Sequence, residues 1–206
     1  MPSLDALVDY LVQYGIIHSE KVENAMRKID RAQFVPPLQQ NYAYEDLPLP
    51  IGWGQTISAP HMYAMMLEAG EVEKGMKVLE IGTGSGYGAA LLKEMVGSKG
   101  AVYSIETIPE LAEFARQNLM KAGYDAKVIV GDGNEGYEQA SPYERIFVTA
   151  GASEIPPSLL VQLQIEGIML IPLGEFIQEL ILLKKTGAGI ERKNLGPCIF
   201  VPLVKK

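Results

Sequence analysis

Cysteine is almost missing from this 206-residue sequence: Cys198 stands alone, so no internal disulfide can form. In a late, strand-like stretch it reads as a small buried apolar side chain rather than a nucleophile. Basic residues are also in deficit, 18 against 25 acidic ones for a net charge of −7, which argues against a nucleic-acid partner. No apolar run approaches the length a bilayer requires, and the N-terminal MPSLDALVDYLVQYG carries Asp5 and Asp9 where an export signal would be basic. Neither membrane insertion nor secretion is implied, and a cytoplasmic protein is expected. What the chain does have is apolar content, 48%, enough to bury the core of one domain.

Leu4, Leu7, Val8 and Leu11 share one helical face, and Gly15 is placed to end that helix. Ser19 can cap a second helix whose stripe is Val22, Ala25, Met26 and Ile29. These helices, residues 1–30, read as packing elements. Residues 31–58 then change character, because Pro36, Pro37, Pro48, Pro50, Gly52 and Gly54 exclude a long regular element. Tyr42, Tyr44, Leu47, Leu49, Ile51 and Trp53 are too apolar for a solvated linker, so the segment folds over something, as a substrate wall or as plain surface packing. Pro60 opens a helix, with Ser58 or Ala59 as its cap and Met62, Met65, Met66 and Ala69 on its apolar face.

The rest, 59–206, alternates strands with helices. Strands are expected at 78–81, 101–106, 126–131, 145–149 and 168–172, with helices at 87–95, 109–122 and 157–164. That order predicts an α/β fold with a doubly wound, mostly parallel sheet. Two more apolar stretches, 180–184 and 198–204, separated by a polar loop, can add an antiparallel pair at one edge.

The stretch 77–92, KVLEIGTGSGYGAALL, passes from strand through a glycine-dense turn into a helix, an arrangement that brings backbone N–H groups to a nucleotide or nucleoside. A dinucleotide fingerprint needs a sixth-position glycine where Tyr87 stands, and no Lys-Ser/Thr pair closes a phosphate loop. Glu80 before the turn would repel a pyrophosphate but suit a cationic ligand such as S-adenosylmethionine. Glu106, at the end of the next strand, is placed to accept from ribose hydroxyls. Asp132 and Gly133 end a third strand, where they can meet an adenine ring or form an Asx turn.

These motifs resemble the class I S-adenosylmethionine-dependent methyltransferases. The stretches YAYEDLPLPIGWGQTISAPHM, VYSIETIPELAEFARQNL, VIVGDGNEGYEQASPYERIFVTA and LIPLG are similar to the protein-L-isoaspartate O-methyltransferase family from about Arg31 onward. The resemblance implies a seven-stranded Rossmann-like sheet in a single methyltransferase domain, 1–206, acting as a monomer on isoaspartyl peptides and proteins without a metal. It implies Ser58 as the active-site serine, with Ile57, Ser58, Thr149 and Ala150, flanked by Gly151, at the substrate. Gln55, Thr56, Ile57, Glu80, Gly82, Thr83, Gly84, Ser85, Glu106, Asp132 and Gly133 would hold the methyl donor. The implied acceptor is a free α-carboxylate, already ionised at neutral pH with a pKa of about 4, so neither His18 nor His61 has to act as a base. Departures are Glu144, where the family often has Asp, and VTAGASEIP in place of a VTAAAP-like stretch. Three alternatives stay open: a class I enzyme acting on a small molecule, a nicotinamide-dependent oxidoreductase, and a non-catalytic relative.

Overall fold

The computed structural model describes residues 3–175 and 177–204. Two helices open the chain, α1 (Leu4–Gln13) and α2 (Glu20–Lys28). Ser3 and Ser19 cap them, each hydroxyl accepting from a backbone N–H three residues on, and Gly15 takes a left-handed φ of 68° just past the first. Residues 31–58 form two 3-10 turns, Arg31–Phe34 and Pro37–Tyr42, and a hairpin of β1 (Leu49–Gly52) and β2 (Gln55–Ile57). The prolines that forbid a long element leave room for these short ones.

Seven strands make the main sheet: β3 (Lys77–Ile81), β4 (Ala101–Glu106), β5 (Lys127–Val130), β6 (Tyr143–Val148), β7 (Leu163–Leu173), β8 (Gln178–Thr186) and β9 (Gly189–Cys198). Their spatial order is β5-β4-β3-β6-β7-β8-β9, parallel through β7 and antiparallel for the last two pairings. Alternation along the strands sorts the core into two clusters. Val78, Val102, Phe147 and Leu170 pack beneath α1, α2, α3 (Pro60–Gly70), α4 (Tyr87–Val96) and α5 (Pro109–Ala122). Leu79, Ile81, Ile105, Ile146, Val148, Met169 and Ile171 face the opposite side. That second face is covered thinly, by α6 (Pro157–Gln162) and a 3-10 turn at Glu138–Ala140. No helix among the described residues is long and apolar enough to cross a membrane.

Two boundaries differ from expectation. β7 begins at Leu163 rather than 168, directly off a six-residue α6. The final strand is Gly189–Cys198, not 198–204, so the polar loop and the strand exchange places. β9 is an edge strand, exposed over 189–194 including Glu191, Arg192, Lys193 and Asn194, and such edge charges erase the apolar signal by which a strand is recognised. The apolar run after it becomes an irregular strap. Gly151 N–H donates to Val201 O at 2.8 Å and Leu203 N–H to Gly151 O at 2.7 Å, tying the strap to the chain beyond β6.

Candidate functional site

β3 lies between β4 and β6, the position where the winding of the sheet reverses and a crevice opens at the strand carboxyl ends. A cavity with about 680 Å³ of atom-free space sits there. Gly82 and Thr83 N–H groups donate to Ile105 O at 2.9 and 3.1 Å, folding the turn back over β4. Gly82 has φ 95°, and a Cβ there would stand 2.6 Å from Thr149 Oγ1, so only glycine brings the turn this close to the end of β6. The Glu106 carboxylate braces the same turn. One oxygen accepts from Gly84 N–H at 2.9 Å, the other from Thr107 and Ile108 N–H at 2.9 and 3.1 Å.

Of the expected donor-binding residues, Gln55, Thr56, Ile57, Gly82, Gly84, Ser85, Glu106 and Gly133 line this cavity, as do Ser58, Thr149 and Ala150. Apolar walls come from Ile57, Ile81, Ile105, Ile108, Leu111 and Leu203. Glu106 is the one charged group in the lining described, and no Lys, Arg or His joins it. The buried Ser85 hydroxyl has no hydrogen-bond partner among the described residues.

Glu80, Thr83 and Asp132 do not line the cavity. Asp132 forms the Asx turn, accepting from Asn134 N–H and its side-chain amide, both at 2.8 Å. The Thr83 hydroxyl is bonded to Ser104 Oγ at 2.7 Å, and Ser104 donates to Glu80 at 2.5 Å. Glu80 is fully buried, and burial pushes its pKa up to about 8, with Glu106 adding to the rise and the Ser104 bond opposing it. Its burial and raised pKa run against the expectation that Glu80 lends negative charge to the site; its bonds to Ser104, and through it to Thr83, tie it to the turn. Because the folded protein keeps a proton that the unfolded chain releases near 4.5, stability should fall as pH rises from about 5 to 8. Glu80→Gln should flatten that decline in denaturant unfolding measured across the window; an unchanged slope would assign it to another group.

A second cavity, with about 1150 Å³ of atom-free space, adjoins the first. It is bordered by Pro48, Met62, Pro197 and Phe200, with the exposed Ile177 and Ile199 at its rim. The two cavities share Thr56, Ser58, Thr149 and Val201. Ser58 does not cap α3. Ala59 holds the N-cap position, and Asp46 serves the helix end instead, accepting from His61 N–H and bonded to His61 Nδ1, both at 2.9 Å. This leaves His61 a structural partner of Asp46 beside the second cavity. The Ser58 side chain interacts with the Tyr63 phenol, whose pKa is raised by burial, and Ser58 O accepts from Arg31 at 3.1 Å. Thr149 Oγ1 donates back to the carbonyls of Ile81 and Gly82 at 3.0 and 2.8 Å.

Sequence reasoning missed Arg31 and the strap residues Val201, Pro202, Leu203 and Val204, all placed at or behind these walls by the fold. It also missed Ile108, the residue just before α5, and Leu111 in its first turn, which was legible only as helix.

Residues 3–206 match the family model described as protein-L-isoaspartate(D-aspartate) O-methyltransferase. A protein-L-isoaspartate O-methyltransferase of Hyperthermus butylicus is 53% identical, covering 96% of this chain and 87% of its own. One from Methanopyrus kandleri is also 53% identical, covering 97% and 90%. Among solved structures, a protein-L-isoaspartate O-methyltransferase superposes with TM-score 0.90 at 32% identity over 98% of this chain and 66% of that one. A Plasmodium falciparum structure described as a putative member, in complex with S-adenosyl-L-homocysteine, gives TM-score 0.90 at 28% identity over the full length of both chains.

Proposed function

The chain belongs to the protein-L-isoaspartate(D-aspartate) O-methyltransferase family, and from that premise we propose that its two adjoining cavities divide the reaction, donor in the first and acceptor in the second. The enzyme transfers a methyl group from S-adenosylmethionine to isoaspartyl residues of proteins and peptides. The observation that carries the division is the shared wall of Thr56, Ser58, Thr149 and Val201, across which groups held in the two cavities would meet.

The first cavity fits the donor on three counts. Its apolar slot suits an adenine, the Glu106 carboxylate can accept from ribose hydroxyls beyond the N–H groups it already serves, and the partnerless Ser85 hydroxyl is free to bond a ligand. A lining with a carboxylate and no basic group favours a cation over a pyrophosphate, which supports this donor against a nicotinamide dinucleotide. Bound there, the donor supplies a methyl on cationic sulfur, which is released to the acceptor oxygen as the sulfur keeps the bonding electron pair. No proton moves, so the chain has to supply no base. Its task is to hold a carboxylate in line with that methyl. We assign the orienting hydrogen bond to the Ser58 hydroxyl, with Ile57, Thr149 and Ala150 as neighbouring walls. In this reading the ester then closes to a succinimide without the enzyme, and the protein acts in the cytoplasm as a monomer.

Two peptides of identical composition, one with an aspartyl and one with an isoaspartyl linkage, test the assignment with methyl-labelled S-adenosylmethionine. Base-labile label should enter the isoaspartyl peptide and not its twin. Equal labelling, or none, would refute it.

A further inference from the structure

Arg31 is among the largest fully buried side chains of the described residues, and its charge has no carboxylate in ion-pair range among them. The neighbouring Asp30 is engaged elsewhere, accepting from Ala32 N–H and the Tyr44 hydroxyl, both at 2.9 Å. Asp46 is taken by His61. Arg31 instead spends its donors on backbone carbonyls: Nη1 on Ala43 at 2.8 Å, Nη2 on Leu47 at 3.0 Å and on Ser58 at 3.1 Å. Nε has no partner. Burying a cation this way is costly, and a well-packed apolar side chain of the same volume would commonly serve stability as well or better. A guanidinium differs in presenting a planar fork that fixes several acceptors at once.

Of the three carbonyls, only that of Ser58 belongs to the wall between the two cavities. On its other side Ser58 meets the buried Tyr63 phenol. The residue is thus held by its backbone from one direction and its side chain from another, while β2 ends one residue before it and α3 begins two residues after. Among the described residues the Arg31 bond is the hydrogen bond that joins this short link to the 3-10 turn at Arg31–Phe34.

We propose that Arg31 is a positioning residue for methyl transfer, fixing the Ser58 backbone so that its hydroxyl meets the acceptor carboxylate; this rests on the orienting role assigned to Ser58 above. Arg31 touches neither reactant. Its effect passes through Ser58 and should vanish when the hydroxyl is gone.

A double-mutant cycle reads this directly. Arg31→Lys, Ser58→Ala and the double variant are compared in kcat/KM for an isoaspartyl peptide, with S-adenosylhomocysteine affinity by calorimetry as the check that each is folded. Arg31→Lys keeps the charge but not the fork, and it should lower kcat/KM about tenfold with donor-site affinity unchanged. On the Ser58→Ala background the same substitution should cost less than about twofold, since residues acting as one unit are not additive. Arg31→Met, which removes charge and hydrogen bonds together, should show the same dependence on background with a larger single loss. Equal losses on both backgrounds, or no loss on the native one, would overturn the role of Arg31 while leaving Ser58 intact. Unchanged turnover in Ser58→Ala alone would instead remove the Ser58 reading, and this proposal with it.

Discussion

Ser58→Ala is expected to lower methyl transfer to an isoaspartyl peptide about 100-fold while donor affinity stays as it was, the size of loss that a misplaced reacting group commonly brings. Ser58 stands in the wall shared by both cavities, and on the proposed assignment removing its hydroxyl would leave the acceptor carboxylate bound but free to rotate away from the line of attack. A purely structural serine would behave otherwise. If Ser58 capped α3, its loss would lower the stability by the value of a cap, about 1 kcal/mol, and the melting temperature with it. Asp46 holds that helix end instead, so no cap is lost in Ser58→Ala, and any drop in its melting temperature should reflect only the contact with the buried Tyr63 phenol. Steady-state kinetics with calorimetry on S-adenosylhomocysteine separates the two outcomes, and full turnover in the variant would end the assignment.

Glu106→Ala should weaken donor binding by about 100-fold or more, because it removes the brace of the glycine turn and, on the proposed assignment, a ribose acceptor as well. Three backbone N–H groups, of Gly84, Thr107 and Ile108, converge on this carboxylate, and bonds to a charged acceptor are worth about 1.5–3 kcal/mol each. Glu106→Gln divides the two contributions. Its amide oxygen can still accept from one side of the fan, but its NH₂ faces another N–H, so the turn loses one anchor. Affinity for S-adenosylhomocysteine should fall in the order native, Gln, Ala, as measured by calorimetry. An alanine variant binding as tightly as the native chain would show that Glu106 supports the fold and not the donor.

The parts of this molecule legible in its sequence are those decided locally. Gly82 is demanded by its own backbone angle and by the closeness of Thr149, so the turn shows in the letters themselves. The alternation of β3 through α5 shows for the same reason, since strand and helix periods are short-range. What escaped depends on distant partners. Glu80 has the letter of an anion, yet the core around it raises its pKa, and both Glu80 and Tyr63 stand against Gly88. Arg31 binds carbonyls, which every residue carries, so no pattern of side chains marks its targets. Ser58 looked like a cap because the residue that serves the helix end, Asp46, lies 15 positions before its partner His61. β9 was hidden by the charges an edge requires.

The strap that follows β9 has a consequence for how the enzyme comes into being on the ribosome. Ile199 to Val204 help line both cavities, Val201 to Val204 the first and Ile199, Phe200 and Val201 the second. They do so by bonding to Gly151, some fifty residues earlier in synthesis, after every strand of the sheet has already emerged. A nascent chain can therefore assemble the glycine turn and the central strands while neither pocket yet has its last wall. A chain ending just short of these residues would lack the last wall of both pockets.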